Sequence, residues 1–153
     1  SKNTEKKNQI VYVGRDSYEK GIDILRQIES KLTIPIKYCT NMEWLDAMNT
    51  LKESQILVVP SRIESIPQVI KEAFYLKTPV IATDVGGNHE LITDNVTGIL
   101  IDPENPDQML NAINDLISDN QTKNKLTENA FQFINKNFNW NILIKKYIDL
   151  YES

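Results

Sequence analysis

Short apolar runs and longer amphipathic stretches alternate along this chain, and that alternation restricts the possible folds more than any other feature. Five runs of four to six residues are rich in apolar and β-branched side chains, which is typical of buried strands. They are Ile10–Gly14, Ile34–Cys39, Ile56–Val59, Val80–Thr83 and Gly98–Ile101. Because strands that alternate with helices form βαβ units, the pattern predicts an α/β protein with a Rossmann-like, doubly wound parallel sheet of about five strands flanked by helices.

The predicted helices follow from apolar residues that recur every three or four positions. They cover Gly21–Leu32, Met42–Leu51, a stretch that starts near Pro67, Asn105 to about Ser118, Gln121–Asn135 and Trp140–Tyr151. Ser65 is a suitable cap for the third helix, with Pro67 in its first turn, where a missing N–H does no harm. Asn105 and Gln108 form a capping signature for the next helix.

Length and composition predict one domain at residues 1–153, with residues 1–9 as a linker or an end introduced by cloning. A chain of 153 residues is long enough to bury a core. No apolar run approaches the ~20 residues that span a bilayer, and the polar start of the chain shows no signal peptide. With a single cysteine, these features predict a reducing, cytoplasmic location.

Cysteine and histidine counts, together with the charge, exclude several classes of function. Cys39 is the only cysteine and His89 the only histidine in the sequence. This excludes an internal disulfide and argues against a zinc site. The net charge of −4 argues against a general nucleic-acid-binding protein, because such proteins carry a basic face. A small anionic ligand is compatible with this charge, since one or two local cations are enough to bind it.

Charged residues follow two of the predicted strands, at the edge where an open parallel sheet binds its ligands. The first strand ends at Arg15, with Lys20 close behind, and the third strand is followed by Glu64. If these strands are neighbours where the strand order reverses, Arg15, Lys20 and Glu64 converge on one crevice. Arginine offers a fork of donors and lysine a mobile point charge, and together they suit a diphosphate.

The helix that starts near Pro67 adds two further kinds of ligand group. Its first turn offers free backbone N–H groups, and its dipole favours an anion. Pro67 cannot donate, so Gln68 and Val69 are the candidate amides. Glu72, on the first turns of this helix, carries a carboxylate that can accept both hydroxyls of a ribose. A crevice with these groups could supply what a nucleoside diphosphate sugar needs from a protein.

Four segments in order carry a family resemblance. They are VGRDSYEKGIDIL, PSRIESIPQVIKEA, PVIATDVGGNHE and FNWNILIKKYIDLY. This series resembles the C-terminal, donor-binding domain of retaining glycosyltransferases of the GT-B fold, specifically glycosyltransferase family 4. That family has a Gly-Arg strand end before a Lys-Gly pair, and two glutamates separated by seven residues after a Pro-Ser. The matches extend from Val13 to Tyr151.

The resemblance implies a role for each charged residue. Arg15 and Lys20 would hold the diphosphate, and Glu72 would bind the ribose. Glu64 would contact the donor-sugar hydroxyls beside the anomeric carbon, which makes it the catalytic candidate, as a neighbour of the transition state rather than a nucleophile.

Backbone groups would make the remaining contacts. By the resemblance, the backbone at Ser65 and Ile66 would reach the sugar, and the backbone near Thr40 would reach the base. The amides of Gln68 and Val69 would complete the phosphate side of the site.

The resemblance also implies an activity. The full-length protein would be a retaining glycosyltransferase that moves a sugar from a UDP- or GDP-linked donor to a glycan or lipid-linked acceptor, in cell-surface polysaccharide synthesis. It would need neither cofactor nor metal, and no nucleic acid. An N-terminal GT-B domain, absent from this chain, would bind the acceptor, so the fragment alone is expected to be inactive. The site would face the cytoplasm, at the inner face of the membrane.

Two departures from the family pattern bear on the site. Lys77 stands where the family has glycine, after the Glu72 helix. Either it would need an unfavourable, left-handed backbone conformation there, or the turn differs. The stretch before Ile56 is too short for the usual six strands, so one strand and one helix are missing. The expected strand order is therefore 2-1-3-4-5, as in flavodoxin-like folds, and the base pocket lies near the deletion.

Three other functions stay open on the sequence. A degenerate domain used for protein contacts would bind no nucleotide. A sugar-nucleotide epimerase shares the GT-B architecture, although the glutamate pair and the Lys-Gly pair fit the transferases better. A flavodoxin-like receiver domain would need an acidic cluster after the first strand and an aspartate ending the third, where this chain has Arg15 and Ser61.

Several other residues have simpler interpretations. Gly86-Gly87 fits either a tight turn or a functional loop, and Glu90 is predicted to cap or brace that loop. His89 is interpreted as a loop side chain rather than a catalyst. Aromatic residues of the last predicted helix are interpreted as packing residues: Trp140, Tyr147 and Tyr151.

Overall fold

The computed structural model describes residues 5–65 and 67–138, and at its centre lies a sheet of five parallel strands. The strands are β1 (Ile10–Val13), β2 (Ile36–Cys39), β3 (Ile56–Val59), β4 (Val80–Thr83) and β5 (Ile99–Ile101). They lie in the order β2-β1-β3-β4-β5, which confirms the predicted α/β fold and the shortened strand order. Because β2 and β3 flank β1 on opposite sides, the order reverses between β1 and β3.

Helices cover both faces of the sheet. They are α1 (Ile22–Ile28), α2 (Trp44–Glu53), α3 (Gln68–Tyr75), α4 (Asn88–Leu91), α5 (Pro106–Ile117) and α6 (Asn120–Asn137), with a 3₁₀ turn at Glu29–Lys31. One core lies between the sheet and α2, α3 and α6, and includes Val11, Leu57 and Phe74. The other lies between the sheet and α1 and α5, and includes Ile10 and Ile81. Alternate strand residues enter opposite cores, which explains why the central strands β3 and β4 are buried along their whole length.

Helix starts agree with the sequence in one case and differ in another. The Asn105 side chain accepts a hydrogen bond from the Gln108 amide at 3.0 Å, so the predicted cap of α5 is confirmed. Ser65 was the predicted cap of α3, and this prediction is wrong. The helix begins at Gln68, and its cap position is Pro67, whose backbone is not helical (φ −81°, ψ 76°) and which makes no side-chain capping hydrogen bond. The predicted helix Trp140–Tyr151 lies outside the described residues.

The amino-terminal segment contacts the edge of the sheet opposite the ligand edge. The Lys7 amide donates to the Glu53 carbonyl, and the Gln55 amide donates to the Gln9 carbonyl. The Lys6 ammonium donates to the Lys52 carbonyl at 2.7 Å. These contacts hold residues 6–9 against the turn after α2.

In the described ranges, every helix is too short or too polar to cross a membrane.

Lys77 follows α3 with a φ of 58°, so of the two alternatives the left-handed backbone conformation is the one that the structure shows. In this conformation the Cβ lies too close to the following carbonyl oxygen, which costs ~1–2 kcal/mol for a residue other than glycine. Its ammonium lies 3.6 Å from the Glu128 carboxylate and 4.6 Å from the Phe131 ring centre, in contacts that are exposed. Exposed contacts of this kind contribute little stability.

The Lys77→Gly substitution is therefore expected to stabilise the fold. Relief of the left-handed strain exceeds the entropy that glycine adds to the unfolded chain, for a net gain of ~0.5–1 kcal/mol. Urea denaturation measures the change. Lys77→Ala is the matched control, because it removes the same side-chain contacts and keeps the strain. Equal stabilities of the two variants would contradict this account.

Candidate functional site

The site lies at the carboxyl ends of β1 and β3, where the strand order reverses. The loop after β1 spans residues 14–21, and the loop after β3 spans residues 60–67. The sequence predicted these strands to be neighbours, and the pairing of Ile10 with Ile56 and Val11 with Leu57 confirms it. The two loops therefore face each other across one crevice.

Lys20 and Glu64 meet in this crevice. The Lys20 ammonium lies 3.1 and 3.2 Å from the two carboxylate oxygens of Glu64, so it donates to both. The Ser61 hydroxyl donates to one of the same oxygens at 3.0 Å. The Glu64 side chain is 8% exposed and that of Lys20 is 26% exposed, so the ammonium forms the solvent side of the pair. The predicted convergence of these two side chains is confirmed.

Backbone contacts hold the two loops together around this pair. The amides of Arg62 and Ile63 donate to the Glu19 carbonyl, at 2.8 and 3.3 Å. Gly21 has a φ of 73°, and a Cβ there would lie 1.9 Å from the Pro60 carbonyl oxygen. The glycine after Lys20 is thus required by the close approach of the second loop.

Arg15 lies at the exposed mouth of the crevice. Its guanidinium makes no hydrogen bond or ion pair with any residue in the described ranges. The Tyr12 hydroxyl donates to the Arg15 carbonyl and supports the turn from below. Burial raises the pKa of Tyr12 to about 12, and the nearby Glu64 carboxylate contributes to that rise. The structure therefore places Arg15 beside the crevice but does not bring it onto Glu64.

Glu72 lies in α3, with its carboxylate directed toward α2. Its side chain is 7% exposed, and burial raises its pKa from an ordinary 4.5 to about 7. The Trp44 indole N–H donates to one Glu72 oxygen at 3.2 Å and partly offsets this rise. Trp44 begins α2, shortly after Thr40 at the end of β2. The sequence analysis did not predict a role for Trp44. Its contact with Glu72 joins residues 28 positions apart, and no local sequence pattern indicates such a contact.

The backbone groups predicted for the site lie around the start of α3. Gln68 and Val69 occupy its first turn, and neither amide donates to a backbone carbonyl within the described ranges. Ser65 precedes this turn, and Thr40 is half-buried at the end of β2. Ile66 lies outside the described residues. The roles of all these groups stay predictions.

Gly86-Gly87 packs against the Glu64 loop. Gly86 has a φ of 50°, and a Cβ there would lie 1.6 Å from the Glu64 carbonyl oxygen. The Gly87 amide donates to that same oxygen at 3.3 Å. The glycines are therefore required by close contact between two loops, which places them beside the site as structural support.

Asn88, rather than Glu90, braces this loop. The predicted bracing by Glu90 is wrong, because its side chain is exposed and bonds no residue in the described ranges. Asn88 is fully buried and donates to the Thr83 carbonyl at 2.9 Å. The Thr83 hydroxyl in turn donates to the Ser61 carbonyl at 2.6 Å. His89 is exposed, 3.7 Å from Asp84, in agreement with its interpretation as a loop side chain.

Comparison with known proteins identifies the family. The family model described as glycosyl transferases group 1 matches residues 28–133, which is more than half of the sequence, and the chain belongs to this family. An uncharacterized glycosyltransferase of Methanocaldococcus jannaschii is 34% identical over 103 residues, covering 67% of this chain and 29% of that protein.

Solved structures show the same fold. Sucrose-phosphate synthase from Thermosynechococcus elongatus matches with a TM-score of 0.77 at 22% identity, over 94% of this chain and 44% of that one. HepE of Anabaena, solved with UDP-glucose, matches with a TM-score of 0.74 at 20% identity, over 95% and 49%. The fold is that of the C-terminal domain of GT-B glycosyltransferases, and the chain spans less than half the length of these relatives.

Proposed function

We propose that this chain is the donor-binding part of a retaining, metal-independent glycosyltransferase of family 4, which transfers a sugar from a nucleoside diphosphate sugar to a glycan or lipid-linked acceptor. The observation that carries the proposal is the Lys20–Glu64 pair at the switch point of the sheet. It combines a cation for a diphosphate with a carboxylate for a sugar in one crevice.

Lys20 and Arg15 are the proposed diphosphate ligands. The Lys20 ammonium already lies at the solvent side of the crevice, where Glu64 holds it in place. The Arg15 guanidinium is exposed at the mouth and makes no bond that a phosphate would have to replace among the described residues. Arginine adds paired donors to the point charge of lysine, which lets two side chains neutralise a diphosphate.

Glu64 is the proposed acceptor for hydroxyls of the donor sugar. Ser61 and Lys20 fix the orientation of its carboxylate, so little reorganisation is needed when a sugar binds. Breaking a glycosidic bond builds positive charge at the anomeric carbon. A carboxylate fixed beside that carbon stabilises the charge as it develops. This is the role that we propose for Glu64.

Glu72 and the start of α3 are the proposed nucleotide side of the site. A buried carboxylate with one indole donor retains acceptor capacity, which suits two adjacent ribose hydroxyls. The amides of Gln68 and Val69, which donate to no backbone carbonyl among the described residues, suit a phosphate oxygen. The backbone near Ser65 and Ile66 is proposed for the sugar, and that near Thr40 for the base.

Structural relatives support a uridine nucleotide as the first donor to test. HepE of Anabaena was solved with UDP-glucose and also with UDP, and a TarM structure of S. aureus contains UDP. We also propose that transfer requires a second, acceptor-binding domain, so that this chain alone binds donor without transferring it. A role in cell-surface polysaccharide synthesis, at the cytoplasmic face of the membrane, stays an expectation from the family resemblance.

Calorimetric titration with UDP-glucose, GDP-glucose and ADP-glucose, in EDTA, tests the proposal. Selective binding of one nucleotide sugar is expected, and Lys20→Ala should weaken it about 10- to 100-fold, because a charge-assisted bond to phosphate is lost. Lys31→Ala is the matched control, since it removes an exposed lysine away from the crevice. At 100 times the dissociation constant, the ligand should also stabilise the fold by ~2.7 kcal/mol. Absence of binding, or equal binding by the Lys20 variant, would contradict the proposal.

A further inference from the structure

Arg62 lies beside the crevice, and protein groups accept hydrogen bonds from four of the five N–H groups of its guanidinium. The side chain is 13% exposed. It donates to both carboxylate oxygens of Asp23, at 2.7 and 2.9 Å, and to the Glu104 carboxylate at 2.9 Å. It also donates to the Tyr18 carbonyl at 2.7 Å and lies 3.8 Å from the centre of the Tyr18 ring. One side chain thus joins the loops after β1, β3 and β5.

These contacts exclude Arg62 as a phosphate ligand. By sequence, Arg62 is a third cation next to the crevice and would be counted with Arg15 and Lys20. In the structure, two carboxylates neutralise it, and its face is covered by Tyr18. A phosphate would have to displace a bidentate ion pair to reach it. We therefore infer the function of Arg62 from the protein groups that it contacts.

The segment that Arg62 holds is the one that carries Lys20. Its guanidinium fixes the carbonyl and ring of Tyr18 and the carboxylate of Asp23, on either side of Lys20. Its backbone amide donates to the Glu19 carbonyl at 2.8 Å. Lys20 is therefore bracketed by residues that are attached to Arg62, and its long, flexible side chain starts from a fixed backbone position.

We propose that Arg62 is a positioning residue, which sets the place of the Lys20 ammonium over the bound diphosphate without touching the ligand. This inference rests on the proposed function and adds a positioning residue to it. A lysine side chain loses much rotamer freedom when it binds an anion. Anchoring its backbone before the ligand binds avoids a further loss of backbone freedom on top of that cost.

A double-mutant cycle with UDP-glucose tests the inference. Arg62→Ala is expected to weaken binding about tenfold, and less than about twofold when Lys20→Ala is already present, because the effect acts through Lys20. Arg62→Lys, which keeps the charge but not the bidentate pair or the stacking, should fall between Arg62→Ala and the parent. Arg26→Ala is the matched control. It removes the same charge and an Asp16 ion pair from the same loop, with both partners exposed, and should change binding less than about twofold.

Several outcomes would overturn the inference. If Arg62→Ala weakens binding by the same factor in both backgrounds, Arg62 does not act through Lys20. If it leaves binding unchanged in a variant whose melting curve shows a folded protein, Arg62 has no positioning role. Arg62→Lys provides the same comparison should the alanine variant fail to fold. If the parent chain binds no nucleotide sugar, the proposed function itself fails and the inference with it.

Discussion

Replacing Glu72 with glutamine is expected to stabilise the fold at pH 8 and to weaken the binding of a nucleotide sugar. Burial raises the pKa of Glu72 from 4.5 to about 7. Between these two pH values, the folded protein retains a proton that the unfolded chain has released. Stability therefore falls as the pH rises from 4.5 to 7, and the full loss is present above pH 7. This shift in pKa corresponds to a loss of ~3 kcal/mol in the free energy of unfolding.

The Glu72→Gln variant has no titrating group at this position but keeps an oxygen for the Trp44 indole N–H. Its free energy of unfolding should exceed that of the parent by ~3 kcal/mol at pH 8 and approach it near pH 4. Urea denaturation across that range measures the difference. Glu90→Gln is the matched control, because it makes the same charge change at an exposed position and should stay within ~0.5 kcal/mol. A difference that does not depend on pH would contradict this account.

The same substitution should weaken binding of UDP-glucose about 10- to 100-fold, since it removes the carboxylate that we propose as the acceptor of the ribose hydroxyls. In the parent chain, the ionised form of Glu72 is the one that accepts both hydroxyls. Affinity should therefore fall about tenfold from pH 8 to pH 6, while that of the variant stays constant. UDP-glucose suits this test because its diphosphate has no group that titrates in the range. A parent affinity that is independent of pH would show that Glu72 does not bind the ribose.

These two expected effects, if measured, would explain why a destabilising carboxylate is present in the buried face of α3. Ligand hydroxyls would supply the hydrogen bonds that burial removes, so the carboxylate costs stability in the free chain and contributes affinity in the complex. Glutamine at this position would give a more stable domain with a weaker site, which is the usual relation between stability and function at a binding residue.

The centre of the sheet could be predicted from the sequence because β3 and β4 are buried on both faces. Ile56–Val59 and Val80–Thr83 have the predicted bounds, since an apolar run that is enclosed on both sides begins and ends with the strand. The strand order followed from a deletion inferred against the family pattern. In contrast, α4 was missed because four residues are too few to show helical periodicity.

The convergence of Lys20 and Glu64 was also predictable, because both follow neighbouring strands at the same edge of the sheet. The contacts that support the pair were not. Arg62 contacts Asp23 and Glu104, which are 39 and 42 residues away, and Trp44 contacts Glu72 across 28 residues. Such contacts depend on how helices and loops pack on the sheet. A single sequence shows which elements form, but not which side chains meet across them.

Alanine at Gly21 is expected to have the second large effect. A Cβ there would lie 1.9 Å from the Pro60 carbonyl oxygen, and the φ of 73° is strained for any residue with a side chain. Left-handed strain of ~1–2 kcal/mol and overpacking of ~1–3 kcal/mol together predict a loss of about 3 kcal/mol in the free energy of unfolding. Gly98→Ala is the matched control, because its Cβ would lie 3.1 Å from a carbonyl oxygen and its φ is not positive.

The Gly21→Ala variant should also lose affinity for UDP-glucose by at least about tenfold at a temperature where it is folded. The loop after β1 must move away from Pro60, and Lys20, the preceding residue, moves with it. Because Glu64 lies in the loop that follows Pro60, this movement lengthens the Lys20–Glu64 contact of 3.1 Å and breaks the ion pair. A folded variant with parental affinity would show that the close contact of the loops is unrelated to the site. The expected result would show that lysine and glycine act together, because the glycine lets the two loops touch and the contact places the lysine over the ligand.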